Sequence, residues 1–328
     1  MTVKVAIAQI NSTVGDLAGN RAKIAEFSRR AAEQGADIVL TPELSLVGYP
    51  PEDLLLRQSF YAKTTETLLA LAAELEPLHG LHVVVGHPFE QDGLRYNAAS
   101  VLLNGKIAGT YCKHDLPNAT VFDEKRYFTS VDEPLVFEVK GVRFGINICE
   151  DTWFPHAPAR AAEHGAQVLL VPNGSPFHMN KQHLRVDVMH ANVTVHGMSL
   201  VYANLVGGQD ELIFDGNSFV LDQAGEIRAQ LQHCVEDLQI IEFQGGQPVD
   251  GTIVEELSVE AQVYKALVLG VHDYIGKNGF PGALIGMSGG VDSALTLAVA
   301  VDALGADKVR AIMMPSPYTA EISWVDSR

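Results

Sequence analysis

Residues 29 to 45 read RRAAEQGADIVLTPELS, and residues 159 to 175 read ARAAEHGAQVLLVPNGS. Aligned without gaps, Arg30, Ala31, Ala32, Glu33, Gly35, Ala36, Leu40, Pro42 and Ser45 all recur 130 positions later. Each stretch predicts the same local structure: a helix stopped by a Gly-Ala turn, a buried strand, then a proline. Convergence on common helix-to-strand chemistry is one explanation. The other is a pseudo-symmetric domain whose equivalent strand ends, carrying Glu43 and Asn173, open onto one cleft. Ligands in α/β sheets bind outside the carboxyl ends of strands, so these two positions are where a site is expected.

Around this pair, short β-rich runs fill the first 245 residues: KVAIAQI, DIVLTPE, HVVVGHPF, ASVLLNGKIAGTY, VRFGINIC, QVLLVPN, LVYANLV and SFVLDQAGEI. Asn104-Gly105 between apolar runs is a two-residue hairpin signal, and Asp215-Gly216 is a second. Helical periodicity appears at 20 to 34, 58 to 75 and 157 to 164. The fold class is therefore mixed α/β. GGQPVDGT at 245 to 252 is polar and turn-rich and marks a boundary, dividing residues 1–246 from residues 247–328. Beyond it, VEELSVEAQVYKALVLGVHDYIGKNG predicts a long helix with a glycine stop, ALIGMS a strand, SALTLAVAVDALG a helix and VRAIMMP a strand. That is a βαβ unit, the first part of a doubly wound parallel α/β domain, and most of that domain is expected beyond residue 328 or in another chain.

Composition bounds the function. Forty acidic against 23 basic residues give a formal charge of −17, so the surface repels nucleic acid and anionic membrane. No apolar run approaches the roughly 18 residues of a membrane span, and the opening MTVKVAIAQI reads as a strand, not a leader. Cys112, Cys149 and Cys234 lie far apart without C-x-x-C spacing, which points to a reducing cytoplasm and away from a disulfide framework or zinc cluster. The 12 histidines offer no ligand pattern: His79, His82 and His87 surround a strand, and His178, His183 and His190 lack a fixed spacing.

Cys149 follows an alternating strand, Val142, Phe144, Ile146 and Ile148, and precedes Glu150-Asp151. A buried structural cysteine fits that position, and so does a nucleophile exposed at a turn. Glu43 ends DIVLTPE, and Lys113 ends the hairpin strand KIAGTYCK. A carboxylate, an ammonium and a thiol at strand ends suit amide cleavage, where a base takes the thiol proton and returns it to departing ammonia. Lysine would stabilise the oxyanion, roughly 3 kcal/mol per donor in a dry site, and favour thiolate.

PE at 42 to 43, YCKHDLPN at 111 to 118, EKRYF at 124 to 128 and ICEDTW at 148 to 153 together resemble the nitrilase superfamily, whose members use Glu, Lys and Cys in that order. The resemblance implies a nitrilase-type α-β-β-α sandwich with pseudo-twofold symmetry, Glu43 as general base, Lys113 as oxyanion stabiliser, Cys149 as nucleophile and Glu124 as the second carboxylate beside the lysine. LPNATVFDEKRYF at 116 to 128, ICEDTWFP at 148 to 155, NGSPF at 173 to 177 and GGQDELIFDGNSFV at 207 to 220 resemble more narrowly the glutaminase domain of the glutamine-dependent NAD synthetase family. That implies Ser175 and Lys181 on the glutamine backbone and Trp153 lining the pocket. One departure is Ala119, where members commonly carry tyrosine.

SGGVDS at 288 to 293 lies between a strand and a helix, where N–H groups and the helix dipole bind phosphate, although such turns also serve packing alone. It is not a Walker A loop, because no lysine follows. It resembles the pyrophosphate loop of the ATP-pyrophosphatase family, which implies Ser288, Gly289, Gly290, Asp292 and Ser293 at the nucleotide and Asp292 toward Mg2+. The combined resemblance implies a cytoplasmic homo-oligomer that hydrolyses glutamine and passes ammonia, with ATP and Mg2+, to nicotinic acid adenine dinucleotide. The 328-residue chain itself is expected not to complete that synthesis. Rival readings are a free-standing amidase or carbamoylase, and a catalytically idle scaffold.

Overall fold

The helix, Gly-Ala turn and strand written twice in the sequence are built twice in the structure. The computed structural model describes residues 2–327. The chain begins β1 (Thr2–Gln9), α1 (Leu17–Glu33), β2 (Ile38–Leu40), α2 (Gln58–Glu74), β3 (His82–Gln91), β4 (Leu94–Leu103) and β5 (Lys106–Cys112). It continues β6 (Leu135–Val139), β7 (Val142–Ile146), α3 (His156–Glu163), β8 (Val168–Asn173), α4 (Lys181–His196) and β9 (Ser199–Asn204). The hairpin β10 (Val206–Gln209) and β11 (Leu212–Asp215) follows, then β12 (Phe219–Leu221), β13 (Ile227–Gln230), β14 (Asp237–Gln244) and β15 (Gln247–Pro248). Asp16 caps α1 by accepting from Gly19 N at 2.9 Å. Gly35 and Gly165, at φ +79° and +81°, stop the two echoed helices in the left-handed conformation that costs other residues energy.

Two sheets result, in the orders β15-β14-β1-β2-β3-β4-β5 and β13-β12-β9-β8-β7-β6. From β14 to β5 the pairings run antiparallel, parallel, parallel, antiparallel, antiparallel. From β6 to β13 they run in the same succession. The echo is therefore structural: α1 leads into β2 as α3 leads into β8.

Side-chain alternation divides the burial into three layers. Val5, Ile7, Leu40 and Val101 of the first sheet meet Phe144, Ile146, Leu170 and Val201 of the second in the central layer. The opposite face of the first sheet, with Ala6, Val39 and Val83, packs on Ile24, Phe27, Leu68 and Leu71 of α1 and α2. That of the second, with Leu169, Leu200 and Phe219, packs on Ala161, Met189 and Val193 of α3 and α4. The result is an α-β-β-α sandwich.

Asn104 and Gly105 turn the β4–β5 hairpin with φ +48° and +77°, and Leu103 pairs with Lys106. The second hairpin expectation is corrected. Asp215 ends β11, and the chain then passes to β12 in the other sheet, while the turn between β10 and β11 falls at Asp210, φ +51°. Asp215-Gly216 is a left-handed step between sheets, a use of the same residue types that a dipeptide alone does not distinguish. β6, β14 and α4 were not expected from the sequence.

By contact the chain forms two units: residues up to Val206 with Phe214–Glu256, and Gly207–Ile213 with Leu257 onward. In the second unit, α5 (Val259–Lys277) is capped by Ser258, whose Oγ accepts from Ala261 N. Then come β16 (Ala283–Met287), α6 (Val291–Leu304), β17 (Val309–Met313) and the short α7 (Glu321–Asp326). β16 and β17 pair in parallel, Ala283 opposite Val309 and Met287 opposite Met313, which is the expected βαβ unit. Within this unit Gly208 N donates to Asp273 Oδ2 at 2.7 Å, and Lys277 Nζ donates to Gly208 O at 2.9 Å. Among the described residues no helix is long and apolar enough to cross a membrane.

Candidate active site

The first echoed strand runs past Leu40 into Pro42, Glu43 and Leu44, where Leu44 has φ +48°. Beneath lies Gly86 of β3. A Cβ there would stand 2.5 Å from Pro42 O and Leu44 N, so the missing side chain is what lets the Glu43 backbone settle onto the sheet. The second echoed strand delivers Asn173 and Gly174 to the same place: Gly174 N donates to Glu43 Oε2 at 2.9 Å. A Cβ on Gly174 would approach Tyr49 Cγ at 3.1 Å and Glu43 Oε2 at 3.2 Å. The two halves of the echo thus meet at Glu43.

Lys113 follows β5 and is fully buried, its N–H donating to Asn97 O at 2.8 Å. Its ammonium lies 2.7 Å from Glu43 Oε1 and 3.0 Å from both oxygens of Glu124. Asn97 Nδ2 donates to Glu43 Oε1 at 2.7 Å, and Tyr49 OH to Glu124 Oε1 at 3.0 Å. Burial alone would lower the Lys113 pKa, but the carboxylates of Glu124 and Glu43 outweigh it and hold the ammonium well above its ordinary value. Burial raises Glu124 to about 7 against the opposing pull of Lys113. Removing one member of such a buried cluster costs about 3–5 kcal/mol, because a charge is left unpaired.

Cys149 opens the 3-10 turn Cys149–Trp153 with φ +46°, a strained conformation for a residue with a side chain. Asp151 fixes this turn to the lysine segment: Oδ1 accepts from the N–H groups of His114 and Asp115 at 2.9 and 2.7 Å, and Oδ2 from Ile148 N and Tyr111 OH, each at 2.8 Å. Cys149 lies in the fields of Glu43, Lys113, Glu150 and Glu124. Burial, reinforced by Glu43, pushes its thiol well above the ordinary value, and Lys113 only partly offsets this. Lys113 does favour the thiolate, as expected, but burial and Glu43 outweigh it, so the net shift of the Cys149 thiol is upward.

Ser175 is buried, its N–H donating to Asn204 Oδ1 at 2.9 Å. Lys181 begins α4 and lies half-buried with Nζ 4.7 Å from the centre of the Trp153 ring. Burial and then Arg185 lower its pKa, while Cys149 and Glu150 raise it, which puts it within the field of the cysteine. Ala119 lies in an exposed turn whose carbonyl accepts from Phe122 N at 3.1 Å, and the Phe122 ring packs edge-on against Tyr49 at 6.3 Å. Glu43, Lys113 and Glu124 are thus in direct contact, Cys149 is coupled to them by charge, Lys181 is coupled to Cys149, and Ser175 adjoins Gly174.

In the second unit, Gly290 caps α6, Gly289 has φ +79°, and Asp292 is in the first turn. Ser293 Oγ lies 3.1 Å from Ser288 Oγ and donates to Gly290 O at 2.9 Å, while Gly290 N meets Ser288 Oγ at 3.3 Å. Exposed N–H groups and hydroxyls at a helix start suit a phosphate, and a carboxylate in the first turn suits its cation.

Asn97, Gly174, Asp151, Tyr49 and Arg185 were not expected as site residues. Asn97 carried one signal, a polar residue inside the apolar run NAASVLL. Among the described residues one cluster has metal-ligand composition, His114, Asp132 and His156. Asp132 already accepts from His156 Nε2 and Arg160 Nη1, each at 2.8 Å, so its charge is compensated.

Comparison with known proteins agrees with this geometry. Residues 4–247 match the carbon-nitrogen hydrolase family, and residues 263–328 match NAD synthase. The chain is 43% identical over 329 residues to a glutamine-dependent NAD(+) synthetase of Xylella fastidiosa, covering 98% of this chain and 60% of that one. The structure of glutamine-dependent NAD+ synthetase from Acinetobacter baumannii superposes with TM-score 0.94 at 41% identity, covering 100% of this chain and 62% of that one. An amidase from Nesterenkonia sp. gives TM-score 0.66 at 27% identity over 74% of this chain and 90% of its own. The chain spans about 60% of the length of the curated relatives it matches. With a paired-sheet sandwich, a buried glutamate and lysine beside a strained cysteine, and a matching family model over residues 4–247, the chain belongs to the carbon-nitrogen hydrolase family.

Proposed function

We propose that residues 1–246 hydrolyse the side-chain amide of glutamine, and that residues 247–328 begin the part of a glutamine-dependent NAD synthetase that uses the ammonia. The observation that carries this reading is the buried Glu43–Lys113–Glu124 cluster in whose field Cys149 lies. Glu43 takes the Sγ proton as sulfur attacks the amide carbon, and the oxyanion that forms is met by the Lys113 ammonium. As the C–N bond breaks, Glu43 returns the proton to nitrogen and ammonia leaves a glutamyl thioester. Glu43 then deprotonates a water that attacks the thioester, glutamate departs, and the proton returns to sulfur. Glu124 balances the lysine charge and, with Asn97, holds the ammonium against Glu43.

Ser175 and Lys181 would hold the glutamine backbone, with Trp153 lining the pocket. In a glutamate-to-glutamine mutant of the amidase from Nesterenkonia sp. AN1, acrylamide undergoes Michael addition at the active site cysteine. In the second unit, Ser288, Gly289, Gly290 and Ser293 would hold the ATP phosphates, and Asp292 would lie toward Mg2+. When bound, ATP supplies the activating group for amidation of nicotinic acid adenine dinucleotide. Cys112 and Cys149 carry free thiols, which suits a reducing cytoplasm.

Ammonia release measured across a panel of amides tests the reading. Glutamine is expected to be preferred, with turnover lost in Cys149→Ala and reduced about 10²–10⁴-fold in Glu43→Gln. Unchanged turnover in Cys149→Ala, or equal rates on every small amide, would contradict it.

A further inference from the structure

We propose that Arg185, paired with Asp215, is a positioning residue of the substrate pocket, which holds the Ser175 hydroxyl as a donor toward a carboxylate of the substrate. The proposal rests on the glutamine reading, in which that group is the α-carboxylate. Arg185 is the largest side chain to be wholly buried. Its Nε donates to Ser175 Oγ at 3.1 Å, and Nη2 donates to Ser175 O at 2.8 Å and Pro176 O at 3.1 Å. Nη1 donates to Gln182 Oε1 at 3.2 Å and Asp215 Oδ2 at 3.0 Å, and Nη2 also meets Asp215 Oδ1 at 2.9 Å.

Every guanidinium N–H therefore has an acceptor within the protein, and none remains for a ligand. Arg185 acts through what it holds. An arginine N–H only donates, so Ser175 Oγ must meet it with a lone pair and keeps its own proton, which faces the Tyr202 hydroxyl until a substrate carboxylate competes for it. Asn204 completes the clamp, accepting from Ser175 N at 2.9 Å and donating to Ser175 O at 3.1 Å. The serine is thus fixed at backbone and hydroxyl, beside the Gly174 N–H that orients Glu43. Lys181, one helical turn before Arg185 on α4, would supply the charge at the pocket, and Arg185 the fixed frame.

The test compares glutamine with 4-aminobutanamide, the same amide without the carboxylate, in wild type and Arg185→Lys, with iodoacetamide alkylation of Cys149 as a third readout. Lysine cannot reproduce the forked contacts. Arg185→Lys is expected to raise KM for glutamine roughly 10- to 100-fold, with kcat changed less than about 3-fold and little effect on 4-aminobutanamide. Asp215→Asn should shift KM in the same direction. If Arg185→Lys does not fold, the apolar pair Arg185→Met with Asp215→Leu, which leaves no charge unpaired, should fold and still show the raised KM. An unchanged KM, or equal losses in both amides and in alkylation, overturns the positioning role. A wild type that consumes both amides equally overturns the glutamine reading and the proposal with it; a wild type that prefers glutamine beside an unaffected variant overturns only the proposal.

Discussion

A lysine ammonium held between two buried carboxylates has no freedom to approach a substrate unless the substrate brings the complementary charge. On the proposed mechanism that charge would appear when an amide oxygen becomes an oxyanion, which would match Lys113 to the transition state. The upward shift of the Cys149 thiol fits the same proposal, in which Glu43 would take the proton only as sulfur attacks. Glu124 is the titratable part of the cluster. Its pKa is raised by burial from about 4.5 in the unfolded chain to about 7, so the neutral form is favoured by folding. A raised folded pKa gives stability that is present below about pH 4.5 and is lost as pH rises through about 7. Wild type is therefore expected to lose stability relative to Glu124→Gln as pH rises from 5 to 8, read from urea denaturation at each pH. A difference between the two that is constant with pH would contradict this.

At the scale of elements, catalytic groups are positioned by residues that are far away in sequence. Asp151 joins the turn after β7 to the segment after β5, and its replacement by alanine leaves the N–H groups of His114, Asp115 and Ile148 and the Tyr111 hydroxyl without their acceptor. Asp151→Ala is expected to cost about 3–5 kcal/mol in denaturant unfolding; a loss under 1 kcal/mol would show that the clamp is dispensable. Gly86→Ala should lift Pro42–Leu44 off β3 and misplace Glu43, reducing glutamate release about 10²-fold while Cys149 remains open to iodoacetamide. Wild-type turnover in Gly86→Ala would mean that the close approach is not needed.

The same scale explains what the sequence disclosed. The echoed helix-strand pair was legible because glycine stops and buried strands are local, and they carried Glu43 and Asn173 to equivalent ends. α4 was hidden because its buried face is Arg185, Met189, Asn192 and Val193, so a helical period exists without an apolar one. β6 was hidden because only Val139 of its five residues is fully buried. Lys113 and Cys149 could be named from strand ends and motifs. Asn97, Gly174 and Asp151 could not, since Asn97 to Glu43 spans 54 residues and needs the strands of the first sheet paired, and Gly174 to Glu43 spans 131 and needs the two sheets packed.

For the molecule as a whole, the two units differ in how much of their surface they bury. The sandwich closes three apolar layers, whereas α5, β16, α6 and β17 bury few side chains fully, among them Ala266, Val299, Ala300 and Ala303. Leu284, Val291 and Met314 remain largely exposed. Local opening follows burial, so amides of β16 and α6 are expected to exchange at least ~10²-fold faster than those of β1, β8 and β9. Equal protection across both units would contradict this.

The central claim is tested most directly by the intact mass of the chain after exposure to a diazoketone analogue of glutamine, with Cys149→Ala as control. A single adduct on wild type, absent from the variant and suppressed by glutamine, is the predicted result. A folded wild type that stays unmodified, or that is modified equally with Cys149→Ala, would contradict the assignment of Cys149 as a glutamine-directed nucleophile.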